Sequence, residues 1–203
     1  MHDQDLPAAL AADVDGNFEH LVLAFQDRLY AFALRLTGSP QDAEEIAQDT
    51  FVRAYRALTK YPAARIRMLA LRPWLYRIAL NVFRNRVRHR QLEVVPLDQG
   101  NEEGEREVAD DTVIQPDTAL ERAELKASLG ALVAALPERY RLAVVLRHIQ
   151  GLGYREMAAV LKQPVGTIKA NVHRGVRILR EALDERERTG HPRPPLRAQR
   201  GWE

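Results

Sequence analysis

Apolar residues recur at three- to four-residue spacing through two stretches of the chain, with a long polar stretch between them. That period marks amphipathic helices. The first predicted helix runs from about Asn17 to Leu36, with Phe18, Leu21, Val22, Phe25, Leu29, Phe32 and Leu36 as its stripe and Gly38 as its stop. A second starts at Ser39-Pro40-Gln41-Asp42, where Ser39 can cap and Pro40 suits the first turn, and runs to about Lys60. Its stripe is Ala43, Ile46, Ala47, Thr50, Phe51, Ala54, Tyr55 and Leu58. Tyr61 to Leu71 reads as a connecting loop. A third helix, Arg72 to Arg90, has Pro73 in its first turn and turns Leu75, Ile78, Ala79 and Val82 to a core. Met1 to Gly16 is small, acidic and aperiodic, and reads as a loose arm.

The period fades between Gln91 and Asp117 and returns at about Thr118. Leu120, Leu125, Leu129, Leu132 and Val133 predict one helix closed by Pro137, and Glu138 to Gln150 predicts another stopped by Gly151 and Gly153. A short helix from Tyr154 to Leu161, a turn at Lys162-Gln163-Pro164 and a longer helix from about Val165 to Arg186 follow, a pattern that fits a helix-turn-helix. Ala158 would let those helices cross closely, with Ile168 and Val172 on the inner face. The predicted fold is all-α: two small helical domains joined by a flexible acidic linker, the C-terminal one a helix-turn-helix. The expected divisions are a disordered arm at 1–16, a first domain at 17–91, the linker at 92–117, a second domain at 118–188 and a disordered tail at 189–203.

Charge changes this picture. The net charge of the 203 residues is only +2, but it is segregated. Thr50 to Leu92 contains no acid and ten arginines, with aromatic residues among them, whereas Glu93 to Glu124 holds eleven acids and two bases. On the third helix Trp74, Arg77, Asn81, Arg84 and Arg88 share a stripe separate from the core face. Aromatics can stack unpaired bases and arginine can neutralise phosphate, so the stripe suits a nucleic acid; a solvated basic face is the other reading. The outer face of the second helix runs from acidic (Asp42, Glu44, Glu45, Asp49) to basic (Arg53, Arg56, Lys60), an order that suits the helix dipole as well as a partner. Near the start of the last helix, Thr167, Lys169, Ala170, Asn171, His173 and Arg174 are the outward positions from which DNA would be read. The chain has no cysteine, no apolar run of membrane-spanning length, no phosphate loop and no nucleophile motif. No catalytic residue, metal site or cofactor is expected, and the chain reads as cytoplasmic, without membrane insertion.

Four stretches carry a resemblance: Asp42-Ala-Glu-Glu-Ile-Ala-Gln-Asp-Thr-Phe-Val-Arg-Ala-Tyr-Arg56, Arg72-Pro-Trp-Leu-Tyr-Arg-Ile-Ala-Leu-Asn81, Leu136-Pro-Glu-Arg-Tyr140 and Pro164-Val-Gly-Thr-Ile-Lys-Ala-Asn-Val-His-Arg174. In this order they resemble the extracytoplasmic-function (ECF) group of sigma-70 family sigma factors. The resemblance implies that Asp42, Glu45, Gln48 and Asp49 dock on the β′ coiled coil of core RNA polymerase. It implies that Trp74, Arg77, Asn81, Arg84 and Arg88 bind and help open the −10 promoter element. The loop from Arg65 to Leu71, with Arg65 and Arg67, would receive a base flipped from the non-template strand. Thr167, Lys169, Ala170, Asn171, His173 and Arg174 would read the −35 element, and their domain would touch the β flap. The acidic linker would pass near the active cleft and the RNA exit path. The chain would have no catalysis of its own, and an anti-sigma factor would hold it inactive. It departs from the family at its basic, apolar loop, at Ala170 and Asn171, and at Gly153 where serine often caps; Lys162 stands at the helix-turn-helix turn position where glycine is usual. Rival readings are an ordinary helix-turn-helix regulator that binds duplex without polymerase, a module whose basic helix binds an acidic protein, and, least supported, an enzyme.

Overall fold

Helix α1 spans Leu6–Ala12 and α2 spans Val14–Thr37, in a computed structural model that describes residues 5–93 and 128–189. The chain continues as α3 (Pro40–Leu58), α4 (Ala63–Arg67), α5 (Leu71–Glu93), α6 (128–135), α7 (Glu138–Val144), α8 (Tyr154–Leu161) and α9 (Val165–Thr189). A π-helical turn at Val145–Ile149 continues α7. No strand occurs among the described residues. The expected linker beyond Glu93, the helix start at 118–127 and the tail from 190 lie outside them, as do Met1–Gln4.

Local chemistry sets the boundaries. The Asp13 carboxylate accepts from the Gly16 N–H at 3.1 Å and caps α2. Gly38, at φ 71°, ends α2 by donating its N–H to the Leu34 carbonyl at 2.8 Å; a side chain at that φ would be strained. Ser39 then accepts from the Asp42 N–H at 3.3 Å, and Pro40 fills the first turn of α3 as its spacing predicts.

Helices α2, α3 and α5 pack on one another. Phe25, Leu29 and Phe32 of α2, Ile46, Ala54 and Leu58 of α3, and Leu75, Ala79 and Val82 of α5 are buried in one core. Thr50 is buried too, because its hydroxyl donates to the Ile46 carbonyl at 2.6 Å within the helix.

Two sequence expectations need correction. The segment to Gly16 is not a loose arm throughout, because Leu6–Ala12 is helical. A proline lies in its first turn, and Leu6 and Leu10, one turn apart, are both buried. Asn17 donates to the carbonyls of Ala9 at 3.2 Å and Asp13 at 2.9 Å, tying α1 to the start of α2. The Tyr61–Leu71 connection likewise contains a turn of helix, α4, anchored by buried Ile66.

Helix α5 is buried on more than its predicted face. Tyr76, Leu80 and Phe83 are buried alongside Leu75, Ala79 and Val82, and α5 packs against α8 as well as against α2 and α3. The Tyr76 hydroxyl donates to Oε1 of Gln150 in a buried hydrogen bond between the two halves. At the exposed surface nearby, Arg84 pairs with Glu138 at 3.5 Å.

In the second half, α7 crosses α9 closely at Gly175. A Cβ there would lie 2.6 Å from Val144 Cγ2 and 3.3 Å from the Tyr140 carbonyl oxygen. Replacing Gly175 with Ala returns about 1 kcal/mol of helix propensity but incurs about 1–3 kcal/mol of overpacking. Urea denaturation should show a net loss of about 1 kcal/mol for Gly175→Ala. Gly166→Ala, whose Cβ meets nothing within 4 Å, should be neutral or stabilising.

Candidate nucleic-acid and polymerase interfaces

The basic stripe of α5 lies where its spacing predicts. Arg77, Asn81, Arg84 and Arg88 are exposed, and Trp74 is half-buried at their N-terminal end. Trp74 belongs to a short aromatic series. Its ring lies 6.3 Å from that of Tyr61, and the Arg65 guanidinium sits 3.7 Å over the Tyr61 ring. The charge of Arg65 thus faces a π-surface that favours it, and the side chain is held on the same side as Trp74. Met68, at the C-cap of α4, is 87% exposed and forms the loop's apolar tip. Arg67 is exposed beside it. Tyr61 and Met68 were not singled out as site residues in the sequence. Tyr61 precedes a proline in a segment without helical period, and a single exposed methionine carries no pattern.

The four predicted polymerase contacts on α3 divide into two pairs. Asp42 is buried and Glu45 half-buried, and both face Arg86 of α5. The Arg86 guanidinium donates to Oε2 of Glu45 and lies 3.8 Å from Oδ1 of Asp42. Gln48 and Asp49 are exposed. Gln48 donates to Glu44 at 3.2 Å, and Gln41 to Glu45 at 3.5 Å, both along the helix surface. Val52, one turn beyond Gln48, is 48% exposed and adds an apolar position to that side.

The helix-turn-helix is formed by α8 and α9, which pack on each other with Met157, Val160, Ile168 and Val172 buried. Lys162 occupies the turn with φ 53° and ψ 44°, the left-handed conformation for which glycine is usual. The residue type is unusual for such a turn, while the backbone is left-handed all the same. Gly153 stands at the N-cap of α8 with no side chain to accept from the first turn, and Glu156 makes the other half of a capping box by accepting from the Gly153 N–H at 2.7 Å.

Thr167, Lys169, Ala170, His173 and Arg174 are exposed on the first three turns of α9, and Asn171 is half-buried. The Asn171 amide donates to Gln163 in the turn at 3.5 Å, and the Lys169 ammonium lies 5.6 Å from the Tyr154 ring centroid. Arg174 donates to the Tyr140 hydroxyl, and that bond lowers the Tyr140 pKa below its ordinary value; Arg139 adds to the effect and burial opposes it. Lys169, Asn171 and Arg174 are therefore each oriented by a neighbour.

Among the described residues no group of three or more His, Asp or Glu side chains could hold a metal ion, and no helix is long and apolar enough to cross a membrane.

Comparison with known proteins agrees with this geometry. Sigma-70 region 2 matches residues 21–93, and Sigma-70, region 4 matches residues 126–179. The ECF RNA polymerase sigma factor SigE of Mycolicibacterium smegmatis is 35% identical over 82% of this chain, which spans 62% of that relative's length. The RNA polymerase sigma-H factor of Pseudomonas aeruginosa is 32% identical over 90% of this chain and 92% of its own length. The ECF sigma factor SigW of Bacillus subtilis is 32% identical over 82% and 88%. Among solved structures, CnrH in complex with the cytosolic domain of CnrY superposes with a TM-score of 0.61 at 26% identity, covering 90% of this chain and 97% of that one. The sigma factor RpoE of Bartonella quintana, in complex with the anti-sigma factor NepR, superposes at 0.62 over 82% and 96%; at 23% identity it speaks for the fold alone. With both regions matched in order and relatives covered over nearly their whole length, the chain belongs to the ECF sigma factors of the sigma-70 family.

Proposed function

We propose that this chain is a promoter-specificity subunit that acts in the cytoplasm, binds core RNA polymerase, recognises a −10 and a −35 element, and opens the −10 region without catalysis of its own. The observation that carries this reading is the presence of two different nucleic-acid surfaces on one chain. One is an exposed basic stripe ending in Trp74, suited to unpaired bases; the other is a helix-turn-helix, suited to duplex. An ordinary regulator needs only the second.

On this reading the α5 stripe and the loop from Arg65 to Leu71 engage the −10 element, and the loop takes a flipped base. Stacking contributes about 1–3 kcal/mol per base, which offsets much of an unstacking cost of about a few kcal/mol. Lys169, Asn171, His173 and Arg174 face the −35 duplex, with Thr167 and Ala170 beside them. The α3 face docks on the β′ coiled coil. Because Asp42 and Glu45 are bound to Arg86, Gln48 and Asp49 make the direct contacts and the Arg86-bound pair orients the helix. The second domain touches the β flap. An anti-sigma factor that covers these surfaces is the expected regulator, a reading supported by CnrH, whose structure was solved in complex with the cytosolic domain of CnrY.

Transcription with sigma-free core polymerase and a fragmented genomic library tests the whole reading. Start sites that depend on this chain and share two spaced upstream motifs are expected; no dependent transcripts, with no association to core, would leave an ordinary DNA-binding regulator. Trp74→Ala should reduce permanganate reactivity of the −10 thymines by tenfold or more while leaving core affinity unchanged, since loss of one stacked base amounts to about 1–3 kcal/mol. Equal loss of both would assign Trp74 to folding. Arg174→Ala should weaken or relax −35 recognition, by about 1–3 kcal/mol if it pairs bidentately with a base. In the same variant the Tyr140 phenol should titrate at higher pH than in the parent, read by phenolate absorbance against a Tyr140→Phe control, because its lowering hydrogen bond is gone.

A further inference from the structure

The short helix α4 cannot hold its own position. It has five residues, too few for an isolated helix to persist in water, and only one of them, Ile66, is buried. The element it packs against most extensively is α1, which also packs on α2. Leu6 and Leu10 are the buried residues of α1 and belong to the same core as Ile66. Asn17, through its bonds to the Ala9 and Asp13 carbonyls, fixes the far end of α1 to α2. The N-terminal helix thus lies between the rigid α2 and the short turn carrying Arg65, Arg67 and Met68. With α4 seated, Arg65 rests on Tyr61 and Tyr61 lies beside Trp74.

We propose that α1 is a positioning element for −10 recognition: Leu6 and Leu10 seat α4, and through it they fix the loop that receives the flipped base. The N-terminal segment acts without touching DNA, and its loss blurs base selection. This inference rests on the proposed function, and it adds the first helix to the specificity machinery.

The test uses the full-length chain bound to core polymerase on promoters carrying each of the four bases at the flipped −10 position. Leu6→Ala/Leu10→Ala, Leu10→Met and Asn17→Ala are compared with the parent. Readouts are the base-selectivity ratio for opening, core affinity, binding of the −35 duplex, and hydrogen exchange of the amides from Ala63 to Leu71. The double alanine variant should lose most of the selectivity, by about tenfold where one stacked base sets it, and exchange faster in the loop. Its core and −35 affinities should stay unchanged. Leu10→Met should keep parental selectivity because it conserves the side-chain volume. Asn17→Ala, which leaves the core intact, should move selectivity and exchange in the same direction by less.

Unchanged selectivity in a variant whose loop exchanges faster overturns the proposal, as does loss of core affinity in step with selectivity. If the double variant fails to fold, Asn17→Ala decides: parental selectivity in it overturns the proposal. A parent that opens promoters without any base preference at that position overturns it too, while leaving the sigma function standing. A parent that opens none overturns both readings.

Discussion

Helix α5 must be apolar on two sides and cationic on a third, and the rest of the structure is arranged around that constraint. A helix buried on one side needs only one stripe of large apolar residues. Here Leu75, Ala79 and Val82 enter the core with α2 and α3, while Tyr76, Leu80 and Phe83 are buried as well and α8 packs on the same helix. The remaining surface goes to Trp74, Arg77, Asn81, Arg84 and Arg88. A cationic surface of that density can be rigid only if the helix beneath it is held from more than one direction, and burial supplies the hold without neutralising the charges. Among the described residues, Arg84 of the stripe is engaged across the two halves, and it is paired at the surface, where its ion pair adds little.

The α3 face shows the opposite use of charge. Arg86 comes from α5 but lies outside the stripe, and it is committed to Asp42 and Glu45. Asp42 would be costly to bury alone, since an ionised carboxylate out of water requires a partner. The pair joins the start of α3 to the middle of α5, so the proposed polymerase-facing helix and the proposed −10 helix share one charged joint. The acidic beginning of α3 therefore suits the helix dipole, as its sequence order suggests, and two of its four predicted contacts also hold the fold.

Much of this was legible in the residues. Gly38, Ser39 and Pro40 act by local chemistry that needs no tertiary context, and so the α2–α3 junction follows from three letters. The α5 stripe and the outward positions of α9 follow from period alone. What was not legible depends on distant partners. Leu6 and Leu10 are two apolar residues in an otherwise small and polar segment, too few to establish a period, and only packing against α2 and α4 gives them meaning. Ile66 is a single apolar anchor in a basic loop. Lys162 departs from the usual turn residue and Gly153 from the family's cap, yet the turn stays left-handed and Glu156 still accepts from the Gly153 N–H. That the acids of α3 meet Arg86 could not be read from helix-face charge, because Arg86 lies 41 residues beyond Glu45 in the chain.

The contact between the halves follows the same rule, and its strength lies in the part the sequence hides. Arg84–Glu138 is the visible pairing, a cation and an anion with side chains 42% and 47% exposed. Water competes for both groups, so the pair contributes at most about 1 kcal/mol. The Tyr76–Gln150 hydrogen bond is withdrawn from water, with Tyr76 fully buried and Gln150 nearly so. Removing the Tyr76 hydroxyl would leave the Gln150 amide in an apolar surround, at a cost of about 1–3 kcal/mol. Gln150 reaches that position because the π-helical turn at Val145–Ile149 re-registers the end of α7, with the Gln150 N–H bonded to the Val145 carbonyl at 2.9 Å. An α-helical continuation would turn the side chain by a different angle and forfeit the bond. The irregular turn thus places one buried bond on the apolar side of α5, where α8 packs as well, and the cationic side of that helix stays open to solvent along most of its length.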